Sequence, residues 1–299
     1  MTDPLTSLKG TRHEHRHYRS NRPAGRHVIE ALLERNVPAD SIVATGRSIE
    51  KLSNFVARGV RAVAMDYDDV ASVAQALKGA TKVLLISGSA VGQRVEQHRT
   101  VIEAAKAEGV ELLAYTSIAN ADTTRMKLAT EHQATESILK ESGVPFALLR
   151  NSWYIENYTD QLPGTLAQGA LAGSAGNGKV SGASRADYAQ AAAAVLVAEH
   201  QAGKIYELGG DEAFTLDELA AEISAASGKS IEYRDLPVDQ YANLLTGAGG
   251  TGSFRADPGR YRSGIGRGDL LVTTGDLRKL IGRPATALSE AVRSAAAAI

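Results

Sequence analysis

Short β-branched runs that alternate with helical patterns predict an α/β fold built on a parallel sheet. Three observations carry the prediction. Five such alternations fill residues 41–149, the strands end in glycine or small polar residues, and the pattern loosens only after Arg150. Together they describe a doubly wound, Rossmann-type sheet over residues 1–150 and a smaller C-terminal α/β substrate lobe over 151–299, interleaved with that sheet.

Residues 28–35 (VIEALLER) form the first helix of the unit. Residues 41–45 (SIVAT) are a strand, followed by Gly46-Arg47 and a helix over 49–58. The next strand is 60–65 (VRAVAM), ending at Asp66-Tyr67, and the helix after it 70–77. Residues 82–86 (KVLLI) are a buried strand ending at Ser87-Gly88-Ser89, with a long helix over 91–108 closed by Gly109. Residues 112–115 are a strand ending at Thr116-Ser117, 131–142 a helix stopped by Gly143, and 146–149 a strand introduced by Pro145. In the second half, 164–182 is rich in glycine and alanine and is expected to wind across the open edge of the sheet. Asp187 starts a helix over 188–197, 205–208 is a strand, Thr215 caps the helix 216–227, and 231–234 is a strand.

The stretch 11–27, TRHEHRHYRSNRPAGRH, breaks the pattern. A nucleotide-binding unit needs an apolar strand and a glycine turn here, so that pyrophosphate can sit at the N-terminus of the following helix. The chain has five arginines and four of its seven histidines instead. Codons for residues 13–26, read one base later, permit Met-Ser-Ile-Val-Ile-Thr-Gly-Ala-Thr-Gly-Gln-Leu-Gly, an apolar strand followed by a glycine loop. A displaced reading frame is therefore expected over 11–27, against the alternative of a basic arm that binds phosphate or nucleic acid. Residues 250–263, GTGSFRADPGRYRS, are a second anomaly. The same shift there permits Phe-Ala-Gln-Ile-Leu-Ala-Asp-Thr-Asp, a helical segment, and the alternative is a mobile lid.

At 299 residues, 43% hydrophobic and 22% charged, the composition is that of an ordinary globular protein. A net charge of −1 gives no global field for nucleic acid. The chain has no cysteine, which excludes disulfides and thiol chemistry. No signal-like segment or spanning run is present, so the expectation is a cytoplasmic protein, without membrane or nucleic-acid partners, as a monomer or homodimer.

Ligands of open α/β sheets bind beyond the carboxyl ends of the strands. That rule selects Arg47, Asp66, Tyr67, Ser87, Gly88, Ser89, Thr116, Ser117, Asn151, Trp153 and Tyr154. Arg47 follows the second strand, where an arginine suits the 2′-phosphate of NADPH better than the bare ribose of NADH, with NADH still possible. Asp66 either accepts from adenine or, with Asp68, caps the next helix. Ser87-Gly88-Ser89 lets a cofactor approach the backbone and offers hydroxyls to ribose. Residues 151–158, NSWYIENY, hold the only Trp and two of ten Tyr, suited to stacking a flat ring or to anchoring the second lobe. His98 and His132 lie on helices and His200 in a turn, and structural or solvated roles suit all three. No His/Asp/Glu cluster has metal-ligand spacing.

The run LLISGSAVGQRVEQHRTVIEAAKAEGV, then LLAYTSI, then EHQATESILKESGVPFALLRNSWYIENY resembles the NmrA-like atypical short-chain dehydrogenase/reductases. Within them it is most similar to the NAD(P)H:quinone oxidoreductase 2 and triphenylmethane reductase group, from Gly25 to the C-terminus except 250–263. The resemblance implies NADPH across the strand ends and hydride transfer to a quinone or similar flat aromatic acceptor. It places Gly25 as the last glycine of the cofactor loop, Arg47 at the 2′-phosphate, and Tyr67 and Ser87–Ser89 at adenine and ribose. Tyr115, Thr116, Ser117, Tyr154 and Asn157 would line the nicotinamide and substrate cleft. The Tyr-x-x-x-Lys pair of ordinary short-chain dehydrogenases is missing, since Lys127 has no Tyr four residues upstream. Two alternatives remain: a non-catalytic NmrA-type redox sensor, and a tailoring reductase for an aromatic natural product.

Overall fold

The computed structural model describes residues 15–17, 23–88, 90–247 and 264–299. Its elements are β1 (His15–His17), α1 (Pro23–Glu34), β2 (Ile42–Gly46), α2 (Ser53–Val56), β3 (Arg61–Ala64), α3 (Val70–Leu77), β4 (Lys82–Leu85), α4 (Arg94–Ala107), β5 (Leu112–Ile118), α5 (Lys127–Ser142) and β6 (Phe146–Asn151). There follow α6 (Glu156–Thr159), α7 (Leu162–Gln168), β7 (Ala170–Gly173), α8 (Arg185–Val197), β8 (Ile205–Leu208), α9 (Leu216–Ser227), β9 (Glu232–Asp235), α10 (Val238–Gly247), α11 (Asp276–Ile281) and α12 (Leu288–Ala296).

Seven parallel strands run in the order β3-β2-β1-β4-β5-β6-β8, the doubly wound arrangement expected. The basic segment supplies the central strand. His15–His17 pairs with Ile42–Ala44 on one side and Lys82–Leu84 on the other.

Alternation along each strand sorts side chains between two cores. Leu84, Ala114, Ala147 and Leu149 pack against α1, α8 and α11 through Val28, Ile29, Leu32, Ala189, Leu196 and Leu277. Val83, Leu85, Leu113, Tyr115 and Leu148 pack against α3, α4 and α5 through Val73, Leu77, Val101, Ile102 and Leu139. A third cluster, including Trp153, Leu162, Leu171, Phe214, Leu219 and Val292, is the core of the second lobe. Strand β8 and helix α8 follow residue 150 yet complete the main sheet.

Most elements form where the sequence put them, and the differences have local causes. Residues 49–58 split into a 3-10 turn at Ile49–Leu52 and α2. Helix α3 is capped by Asp69, whose carboxylate accepts from the Ala71 and Ser72 amides, and not by Asp66 or Asp68. Residues 164–182 do not merely wind across the sheet edge. They hold most of α7, closed by left-handed Gly169, and strand β7, which pairs in parallel with β9. Thr215 and Glu218 close a reciprocal capping box on α9, and Ser184 caps α8 three residues before Asp187, whose amide it accepts. No helix among the described residues is long and apolar enough to cross a membrane. The 250–263 anomaly, residues 11–14 and 18–22 of the 11–27 anomaly, and Ser89 lie outside the described residues.

Candidate functional site

A cleft opens at the carboxyl ends of β4, β5 and β6, on the α1 and α8 side of the sheet. Ala24, Val28, Leu84 and Ile86 form its floor, and Thr116, Asn151, Tyr154, Arg185 and Tyr188 supply its polar groups. Strand alternation decides who faces it. Thr116 on β5 and Asn151 on β6 share the face of Ala114 and Leu149, so both point to the cleft side.

Asn151 is 7% exposed, and its carboxamide oxygen has no hydrogen-bond partner. Its Nδ2 lies 3.5 Å from the Tyr154 hydroxyl, a long contact. A buried acceptor left open at a cleft wall is a binding group waiting for a donor. Thr116 accepts the Ser87 amide at 2.8 Å, which leaves its own hydroxyl proton to donate. The Tyr154 ring meets Tyr188 edge-on at 5.4 Å and carries the Arg185 guanidinium 5.5 Å from its centroid. Arg185 is held in turn by Asp160 at 2.9 Å. Burial pushes the Tyr188 phenol well above its usual pKa, with neighbouring Tyr154 and Glu156 adding to the effect.

At the other end of the strand row, Arg47 stands exposed just beyond β2, and no described group partners it. Gly25 is buried in the first turn of α1, where the last glycine of a cofactor loop was expected. Asp66 is half-buried, its carboxylate accepting from the Asp68 amide at 3.3 Å. Gly88 is buried and Ser87 half-buried at the end of β4. Asn157 is half-buried on α6 beside Tyr154, its amide bonded to the Tyr154 carbonyl.

Four residues expected at the strand-end site face elsewhere. Tyr115 and Ser117 alternate with Thr116 and therefore point into the α4 and α5 layer. Tyr115 is fully buried, its hydroxyl 2.8 Å from His132 Nδ1, so it reaches no substrate. Its phenol is pushed far above the usual value by burial. The Ser117 hydroxyl donates to buried Glu136 at 2.7 Å. Tyr67 is 2% exposed and turns inward, its hydroxyl donating toward the Ile86 carbonyl, so its ring offers adenine no face. Trp153 is buried in the second core with Leu162 and Phe214, an anchor for that lobe and not a stacking platform.

Around these buried phenols lies a polar network. His98 bonds Thr135 and Gly88, and His132 bonds Tyr115 and Arg94. Burial, with Arg94 and His98 nearby, holds the His132 pKa well below its ordinary value. Both histidines are structural, as the sequence suggested, and Glu131 accepts from the Gly92 amide at 2.8 Å without entering the cleft. Arg150, facing away from the cleft, is buried and bonds Glu136, Asp122 and Glu207. The strand-end rule had selected Asn151, whereas the residues read from sequence did not include Arg185 and Tyr188. Asn151 carried a signal, since it ends a strand on the same parity as the cleft face. Arg185 and Tyr188 carried none, because they reach the cleft through a packing of α8 across β4 and β6 that no local pattern announces.

The geometry fits a dinucleotide along the strand ends: an unpartnered cation at β2, a small turn at β4, and an unpaired buried acceptor at β6. Comparison with known proteins agrees. A family described as NAD(P)H-binding matches residues 20–199. Quinone oxidoreductase 2 of Escherichia coli K12 is 46% identical over 271 residues, 90% of this chain and 93% of that protein. The crystal structure of an E. coli NADPH-dependent quinone oxidoreductase complexed with NADPH superposes with a TM-score of 0.89 at 44% identity, covering 94% of this chain and 99% of that one. That of the Citrobacter sp. triphenylmethane reductase complexed with NADP(H) gives 0.88 at 33% identity, covering 94% and 100%. The chain belongs to the NAD(P)H-binding family.

Proposed function

We propose that this chain is an NADPH-dependent oxidoreductase that reduces quinones or similar flat conjugated acceptors in the cytoplasm. The observation that carries the reading is the cleft at β4–β6, which the unpartnered Asn151 oxygen, the Thr116 hydroxyl and Tyr154 line together. The relatives named for quinone reduction and their NADPH-bound structure support it.

Arg47 would take the 2′-phosphate, the turn at Ser87-Gly88 the ribose, and Asn151 with Thr116 the carboxamide end of the cofactor. NADPH supplies a hydride there. The chain's own work is positioning. Tyr154, stiffened by Tyr188 and Arg185, forms one wall, and the apolar floor of Val28, Leu84 and Ile86 keeps water from the reacting face. No acid of the Tyr-Lys type serves the cleft among the described residues, since Tyr115 is sealed beneath the sheet. Quinone oxygens take protons from water readily, so this reaction tolerates that lack better than carbonyl reduction does.

The test is NADPH oxidation by the purified chain across a panel of benzoquinones and naphthoquinones, beside calorimetric NADPH binding. Saturable turnover is expected. Binding with no turnover on any acceptor would replace this reading with that of a dinucleotide sensor.

A further inference from the structure

We infer that His98 is a positioning residue for the turn after β4, setting its peptide groups so that the turn presents the Ser87 carbonyl to a ligand hydroxyl. The inference rests on the dinucleotide reading above and deepens it. His98 is fully buried on α4, ten residues from the turn it touches. The Thr135 hydroxyl donates its proton to the Glu131 carbonyl at 2.8 Å. Its remaining role toward His98 Nδ1, 3.0 Å away, is therefore to accept. The imidazole thus carries its proton on Nδ1 and leaves Nε2 bare, and the Gly88 amide donates to that bare nitrogen at 3.1 Å. Edge contacts with Tyr67 at 6.3 Å and Tyr115 at 5.4 Å hold the ring in this orientation.

A trans peptide points its N–H and C=O in opposite directions, and no described peptide is cis. With the Gly88 N–H fixed toward α4, the Ser87 carbonyl must point away from that layer, to the α1 side where the cleft opens. The neighbouring peptide is tied at both ends, its N–H to Thr116 and its Ile86 carbonyl to the Tyr67 hydroxyl at 3.4 Å. The Ser87 carbonyl takes no partner among the described residues. With both amides already engaged, by Thr116 and by His98, this turn suits a hydroxyl donor and repels an anion. That is the chemistry of a ribose hydroxyl, not of the pyrophosphate.

The experiment compares wild type, His98→Leu and His98→Gln. Leucine fills the space and removes the acceptor, whereas the glutamine carboxamide oxygen can accept the Gly88 amide again. Two readouts are needed: hydrogen exchange of the Gly88 amide by NMR, and calorimetric NADPH affinity alongside acceptor KM at saturating NADPH. Wild type and His98→Gln should protect Gly88. His98→Leu should release it and weaken NADPH by roughly five- to tenfold, the weight of one hydrogen bond, with acceptor KM unchanged. Equal Gly88 protection in all three proteins overturns the inference. So does release of Gly88 with unchanged NADPH affinity, or a His98→Gln variant that stays as weak as His98→Leu. If wild type takes up no NADPH, the functional reading fails, and Gly88 exchange alone still decides whether His98 holds the turn.

Discussion

Replacing Arg150 by methionine tests the largest buried charge cluster in the protein. Arg150 and Glu136 are each 3% exposed and 2.7 Å apart, with a second bond from Nε to the same carboxylate at 2.9 Å. The guanidinium also pairs Asp122 through both terminal nitrogens and reaches Glu207 at 3.0 Å. Burial by itself would lower the Arg150 pKa, but the bonds to Glu136, Asp122 and Glu207 outweigh it and raise it. Asp122 is largely exposed, so its share is screened and small. The Glu136 share is not. Arg150→Met leaves that carboxylate in the core with the Ser117 hydroxyl and, as its one cation, Lys140, 3.3 Å away and itself 41% exposed, so urea unfolding should show a loss of about 3–5 kcal/mol. The double variant with Glu136→Gln should recover a substantial part of it, because the stranded charge is gone. Ser117, Asn120, Asp122 and Glu207 all hang on this cluster, so acceptor KM should rise as the loop after β5 loosens. A loss below about 1 kcal/mol, the value of a surface pair, refutes the reasoning.

Arg47→Ser should weaken NADPH by about tenfold or more and leave NADH unchanged, as read by KM for each cofactor. Equal loss for both places Arg47 away from the phosphate. Asn151→Leu should leave urea stability equal or higher, since it removes an unpaired buried acceptor, while kcat/KM for NADPH falls. A parallel loss of both makes Asn151 structural. The buried His132 has a depressed pKa, so the unfolded chain takes up a proton that the folded chain refuses. Its contribution is therefore complete above the unfolded value of 6.5 and is lost as pH falls below it, by about 1.4 kcal/mol per pH unit. His132→Gln should flatten that acid slope in urea titrations at stepped pH.

The sheet was legible because period-two and period-3.6 patterns are local, and each strand end announced itself by a glycine or hydroxyl. Strand parity was the information left unused. Thr116 and Tyr115 are neighbours in sequence, yet one faces the cleft and the other a sealed polar layer, and alternation alone separates them. Asn151 follows from the same count, two residues beyond Leu149. Other features could not be read. The His98–Gly88 and Arg150–Glu136 contacts join different elements, and side chains of α8 enter the cleft only after α8 crosses the sheet. A tryptophan beside a strand end looks like a stacking platform until the second core is known to need it.

The central strand bears on the first of the two stretches that depart from the family. The alternative frame places Ile-Val-Ile at positions 15–17 and its glycine turn over 19–25, ending on Gly25, which the written chain also has. Those three positions are the ones that pair with β2 and β4. The apolar run of the alternative frame would thus occupy the central strand. β2 is buried at all five positions, and three apolar side chains in the strand beside it contribute about 1.5–3 kcal/mol each on burial. A chain carrying the alternative residues over 13–25 should therefore unfold at higher urea. It should also bind NADPH far more tightly than the written chain, because backbone amides of a glycine turn at the start of α1 are the groups that hold pyrophosphate. Sequencing the coding DNA across these codons asks the same question directly. If the shifted frame does not encode the glycine turn, or the repaired chain binds no better, the basic segment is a genuine strand and arm, and the dinucleotide must be held by Arg47, the β4 turn and Asn151 alone.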